Sequence, residues 1–205
     1  MSEKNFIIAG FGGQGVLLAG EVLANAFMLA GKNVTWYPSY GAEMRGGTVN
    51  CEIVMSDDEV SEVNKSDADF IVALNQASFD RFLSKILDCS LETKEEMCWC
   101  YQVITSPNYK RVLKEIKTRT DINYLFAPIT KLAEDLGNVK MANILSLGIL
   151  AKADNVVSLE TLNHALDAVI PPHRKNLLPL NIKALKIGYE YDYYPHKLKS
   201  TKKSI

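Results

Sequence analysis

Four glycines in six positions, Gly10-Phe11-Gly12-Gly13-Gln14-Gly15, constrain this chain more than any other stretch. The apolar run Phe6-Ile7-Ile8-Ala9 precedes them, and an apolar-periodic run from Val16 to Ala30 follows. The pattern is strand, glycine turn, helix. The first run, uninterrupted by polar residues, reads as a strand buried on both faces, as in a parallel sheet. A turn almost without side chains lets another group approach the backbone, and the helix behind it aims free N–H groups at the visitor. An anion, most often a phosphate, suits such a place.

Beyond this unit the chain alternates. Gly31 stands where a left-handed helix cap belongs. Val34 to Tyr37 predicts a second strand, broken by Pro38. Thr48 to Met55 alternates, with Val49, Cys51, Ile53 and Met55 on one face and Thr48, Asn50 and Glu52 on the other, which predicts a half-buried strand. Phe70 to Leu74 is another buried strand, followed by a helix over about 77–87. Strands over 97–104 and 123–126 bracket a short helix over 109–118, and Pro128 opens another helix. The remainder is helical: Met141 to Ala153, Leu159 to Ile170 behind an N-cap at Ser158, and Leu177 to Tyr189. The expected fold is α/β, a three-layer α/β/α arrangement around a mostly parallel (mixed) sheet with a helical C-terminal part. The Thr48–Met55 strand, reached by a loop and not a helix, is the one expected to run antiparallel, which makes a mixed sheet the expectation over a pure one. Residues 1–190 form one domain in this reading, and 191–205 a basic tail.

Composition removes several classes of function. A net charge of −1 gives no electrostatic case for nucleic acid or an acidic membrane surface. No apolar run reaches the roughly 18 residues of a membrane span, and the first residues do not read as a signal peptide. The four cysteines lack the spacing of an iron–sulfur ligand set, and Cys98 and Cys100 read as packed side chains. His164, His173 and His196 are scattered, so no metal site and no self-sufficient catalytic group is expected. A 205-residue chain needs no disulfides, and a reducing cytoplasm is the expected compartment.

Gly10, Gly12 and Gly15 satisfy the dinucleotide pattern G-x-G-x-x-G. That pattern also needs an acid about 20 residues on, at the end of the second strand, to hold ribose hydroxyls. Here the strand ends Thr35-Trp36-Tyr37-Pro38, and the first acid is Glu43. A standard dinucleotide site is therefore disfavoured. Binding of another phosphate-bearing group, reception of a partner's loop, and simple close packing of strand and helix stay open. A second loop, Ser39-Tyr40-Gly41-Ala42-Glu43-Met44-Arg45-Gly46-Gly47, sits at the carboxyl end of the second strand. Ligands of open α/β sheets bind at that rim. Arg45 there suits a phosphate or carboxylate held by two parallel hydrogen bonds, unless it only pairs with Glu43 on a surface turn.

At these residues the chain resembles the gamma subunit of 2-oxoacid:ferredoxin (acceptor) oxidoreductases. The resemblance rests on Gly10 to Gly15, on Pro38 to Cys51, on Phe70 to Gln76, and on the helical stretches Met141 to Leu150 and Asn181 to Gly188. It covers roughly residues 5–190 and weakens over about 87–101. It is nearer the 2-oxoglutarate and 2-oxoisovalerate types than the pyruvate type. The resemblance implies a complex that oxidatively decarboxylates a 2-oxoacid, forms acyl-coenzyme A, and passes electrons to ferredoxin. Alpha, beta and delta-type partner subunits would hold thiamine diphosphate, magnesium and the iron–sulfur clusters. This chain would hold no cofactor alone and would complete the coenzyme A side of the site. The residues it assigns to that side are Gly10, Gly12, Gly13, Gln14, Gly15, Tyr40, Gly41, Glu43, Arg45, Gly46, Gly47 and Asn75. A stand-alone nucleotide-binding or regulatory module remains the alternative.

Overall fold

The computed structural model describes residues 3–39, 47–63, 65–85, 103–104 and 125–192. Strand β1 (Lys4–Phe11) lies inside a four-stranded sheet. The sheet order is β2-β3-β1-β4, with β2 Asn33–Ser39, β3 Thr48–Ser56 and β4 Phe70–Ala73. Side chains of β1 alternate between two dry faces: Phe6 and Ile8 enter one core, Ile7 and Ala9 the other. The unbroken apolar run is what allows this, because both sides of the strand are covered.

On the first face lie helices α1 (Val16–Leu29), α3 (Ile129–Asp135), α4 (Ala142–Asp154), α5 (Leu159–Val169) and α6 (Leu178–Glu190). Phe6 stacks on Phe70 at 4.5 Å between ring centroids and tilts against Phe27 at 5.0 Å. On the second face the short helix α2 (Gln76–Phe82) sets Phe79 and Phe82 against Ile7, Ala9, Ile71 and Ala73. These are the three expected layers.

The sheet is mixed, as expected, but it is not mostly parallel among the described strands. β1 and β4 run parallel, whereas β3 is antiparallel to both β1 and β2. The reason is the connection: β2 reaches β3 by a loop, and a strand returning without a crossover helix must reverse. Strands β5 (Val103–Ile104) and β6 (Leu125–Phe126) add one parallel pair, with β5 beside β4.

Three local readings need correction. Pro38 does not end β2, which runs to Ser39. It occupies the sheet edge, where a missing N–H breaks no ladder bond. Pro128 caps α3 and does not open it. β3 is not half-buried: Asn50 and Glu52 are as dry as the apolar residues opposite them. A short 3-10 turn, Leu83–Lys85, continues α2 over that face and supplies Lys85, whose Nζ donates to Glu52 Oε1 at 2.8 Å. A buried carboxylate is tolerable only with such a partner.

Other elements follow their sequence signals. Gly31 is left-handed (φ 79°); its N–H donates to Met28 and that of Lys32 to Phe27, closing α1. The Ser158 hydroxyl accepts the Thr161 N–H at 3.0 Å. α4 is buried on almost every side, its polar Asn143 and Ser146 included. The helix predicted over 109–118, most of the strand predicted over 97–104, Cys89, Cys98, Cys100, His196 and the lysine-rich end lie outside the described residues.

Cys51 lies in the core, fully buried, with its thiol 3.7 Å from the Val16 carbonyl oxygen. Burial pushes the thiol pKa up to about 12. Only the thiolate alkylates readily. The Cys51 peptide is therefore expected to stay unmodified by iodoacetamide at pH 8 in the native protein and to label fully in urea. Peptide mass spectrometry reads the difference, and native labelling at the denatured rate would contradict it.

Candidate functional site

The glycine motif divides between strand and turn. Gly10 and Phe11 still pair in the ladder, opposite Val49 and Thr48. The chain then turns, with the Gln14 N–H donating to the Phe11 carbonyl at 3.1 Å. Gly13 (φ 95°) is exposed at the tip. Gly15 (φ 73°, ψ 27°) is the left-handed N-cap of α1. No side chain among the described residues caps this helix, so the N–H groups of its first turn face the loop end.

Gln14 turns its side chain inward. Its Oε1 accepts the Phe11 N–H at 2.6 Å and the Asn75 Nδ2–H at 2.9 Å, while Nε2 reaches the Leu74 carbonyl at 3.5 Å. Asn75 has a second task. Its Oδ1 accepts the Ser78 N–H at 2.9 Å and caps α2. One glutamine thus ties the turn after β1 to the turn after β4, the two neighbouring parallel strands.

The second loop joins through its end. The Gly12 N–H donates to the Gly47 carbonyl at 3.1 Å. The structure therefore brings together Gly10, Gly12, Gly13, Gln14, Gly15, Gly47 and Asn75. Tyr40, Gly41, Glu43, Arg45 and Gly46 lie outside the described residues.

Two contributors escape the sequence reading. Asn143 of α4 is 1% exposed, and its Nδ2 donates to the Gly15 carbonyl at 2.9 Å. Its Oδ1 accepts the Ile144 N–H at 2.9 Å, so the amide is fixed at both ends. The signal was a polar residue within the apolar stretch 141–151, since a buried amide must be satisfied by something. Arg81 of α2 donates from Nη1 to Thr48 Oγ1, beside the glycine turn. Nothing in its local sequence marks it, because the contact crosses from a helix to a strand 33 residues away.

The arrangement is a rim built from backbone and stiffened by the amides of Gln14, Asn75 and Asn143. Among the described residues no group of His, Cys, Asp and Glu is arranged to hold a metal ion, and no helix is long and apolar enough to cross a membrane.

This geometry belongs to known company. A family model for the pyruvate ferredoxin/flavodoxin oxidoreductases matches residues 5–191. The chain belongs to this family. The 2-oxoglutarate synthase subunit KorC of Methanothermobacter marburgensis is 31% identical over 192 residues, covering 92% of this chain and 96% of KorC. The ketoisovalerate oxidoreductase subunit VorA of the same organism is 29% identical and covers 92% of this chain. The match spans only 36% of VorA's length, so family members also carry this unit within a longer chain. Among solved structures, the gamma subunit of the keto/oxoacid ferredoxin oxidoreductase from Geobacter sulfurreducens superposes with a TM-score of 0.66. It is 26% identical and covers 91% of this chain and 96% of that one. The family likeness thus extends over both glycine loops and the helical C-terminal part.

Proposed function

We propose that this chain is the gamma-type subunit of a thiamine-dependent 2-oxoacid:ferredoxin oxidoreductase of the 2-oxoglutarate or 2-oxoisovalerate type. In this reading the complex decarboxylates the 2-oxoacid, transfers the acyl group to coenzyme A, and delivers electrons to ferredoxin. Residues 1–190 form the subunit's one domain and 191–205 a basic tail. Partner subunits of the alpha, beta and delta types hold the thiamine diphosphate, magnesium and iron–sulfur clusters, and the complex works in the cytoplasm.

The observation that carries the reading is the rim itself. A glycine turn at the carboxyl end of β1 is braced by Gln14, Asn75 and Asn143 and joined to the second loop at Gly47. Among the described residues such a rim offers N–H groups and no reacting side chain. That suits a subunit which positions the anionic part of coenzyme A while the chemistry proceeds on a neighbour's cofactor. Arg45 supplies the charge in this assignment, with Gly12 and Gly13 lining the approach. Gln14 holds the turn in shape.

The Arg45→Ala variant in the assembled complex tests it. Losing a charge-assisted contact to phosphate is worth about 1.5–3 kcal/mol, so the apparent KM for coenzyme A should rise roughly ten- to hundredfold. The KM for the 2-oxoacid should stay put. An unchanged coenzyme A dependence would refute the role of this loop. Tight binding of NAD by the isolated chain would favour the stand-alone nucleotide-binding module instead.

A further inference from the structure

A cleft of about 320 Å³ opens on the α2 face of the sheet, away from α1. β3 and β2 form its floor and edge, and α2 with its 3-10 extension forms its wall. Two cations four residues apart, Arg81 and Lys85, stand on that wall. Ser39, Asn50 and Ser84 add hydroxyl and amide donors, and the half-exposed Tyr37 stands at the edge.

Among the described residues one carboxylate lines the cleft, and it is withdrawn from solvent. Glu52 Oε1 is taken by Lys85 Nζ at 2.8 Å, and Oε2 is buried without a partner. Glu52 therefore holds the ammonium in place, and its second oxygen is withdrawn from solvent. Its side chain is 5% exposed and that of Lys85 31%, so the cation remains reachable. Arg81 is anchored through Nη1 to Thr48 Oγ1. Its guanidinium makes no other hydrogen bond to a described residue, which leaves a donor edge free. Among the described residues the cleft thus presents donors and two cations against one neutralising charge.

We propose that this cleft binds the phosphate group of a phosphate ester. A tetrahedral dianion has three terminal oxygens, enough to use a guanidinium, an ammonium and the hydroxyls together, which a carboxylate has not. The volume lies at the small end of ligand pockets and accommodates the ester's organic part beside Tyr37. The site is distinct from the glycine rim but adjoins it: Thr48, which receives Arg81, pairs with Phe11. The phosphate can therefore arrive on a free nucleotide or as a phosphate of coenzyme A reaching past the rim.

Calorimetric titration of the purified 205-residue chain tests this, with inorganic phosphate, adenosine monophosphate, coenzyme A and dephospho-coenzyme A as probes. Saturable binding of an ester is expected, weakened roughly ten- to hundredfold by Arg81→Ala. Lys85→Met alone strands a buried carboxylate, so the neutral pair Glu52→Gln/Lys85→Met removes the second cation without that penalty. It should weaken the same ligand, with the fold checked by circular dichroism. Binding of coenzyme A but not of the other two esters identifies the 3′-phosphate as the occupant; equal binding of adenosine monophosphate identifies a free nucleotide. Three results overturn the proposal: no saturable ester binding, ester binding unchanged in both folded variants, or inorganic phosphate bound as tightly as any ester. Arg45 lies in the second glycine loop and Arg81 on α2, so Arg45→Ala and Arg81→Ala fail independently.

Discussion

Gly15→Ala is expected to lower the stability of the protein by about 3 kcal/mol, from strain and lost hydrogen bonding together. Two independent effects add at this position. The backbone is left-handed (φ 73°), which costs an alanine roughly 1–2 kcal/mol. The new Cβ would also meet Asn143 Nδ2 at 2.4 Å and its Cγ at 3.0 Å. Asn143 must then withdraw from the Gly15 carbonyl, and an amide that is 1% exposed finds no water in exchange. An unsatisfied buried donor costs about 1–3 kcal/mol. For a chain of this length the melting temperature should fall by roughly 6–12 °C. Gly13→Ala is the control. Its φ of 95° also disfavours a side chain, but no described residue lies within 4 Å of the added carbon, so only strain counts. The double variant Gly15→Ala/Asn143→Ala removes the collision and should cost less than the two single changes added together. Equal melting shifts for Gly15→Ala and Gly13→Ala would show that the contact with Asn143 carries nothing.

Gly148→Ala should destabilise by about 2 kcal/mol or more, although alanine is the better helix former by about 1 kcal/mol. α4 and α6 cross with their backbones touching. A Cβ on Gly148 would lie 2.1 Å from the Leu185 carbonyl oxygen and 2.7 Å from the Tyr189 nitrogen. From the other helix, a Cβ on Gly188 would lie 2.1 Å from the Leu145 carbonyl oxygen. Backbone of a packed helix cannot turn aside as a side chain can. The two helices must move apart, which opens gaps beside Leu145, Ala184 and Leu185, all fully buried. Since α4 also carries Asn143, the displacement is transmitted to the N-cap of α1. A urea titration should show the loss as a lower midpoint. Gly137→Ala, at a left-handed position with open space around it, should show only the strain. Retention of the wild-type midpoint in Gly148→Ala would mean that α4 and α6 can separate freely, against the close crossing seen here.

These two glycines illustrate different reaches of sequence reading. Gly15 is legible because its neighbours declare a turn between strand and helix, and because the turn needs a residue that tolerates positive φ. Gly148 sits in the middle of an apolar helical run, where a glycine looks merely unfavourable. Its reason is a second helix some 40 residues later, and local pattern carries no trace of that crossing.

The sequence by itself determined the three layers, because uninterrupted apolar runs demand cover on both faces and 3.6-residue periodicity supplies helices to cover them. It also determined that the glycine turn stands at a strand's carboxyl end before a helix, since those are facts of order along the chain. The antiparallel direction of β3 follows likewise from its loop connection to β2. Tertiary structure decided the inward use of Gln14, the brace from Asn143 and the burial of Glu52. Each depends on which residues meet across 33 to 128 positions of sequence. Glu52 shows the physical reason. Alternation placed its carboxylate on the polar side of a strand, and polarity ordinarily means water. Lys85 arrives from another element, satisfies the charge, and makes burial possible. Chain order cannot reveal a partner that only the folded backbone brings within 2.8 Å.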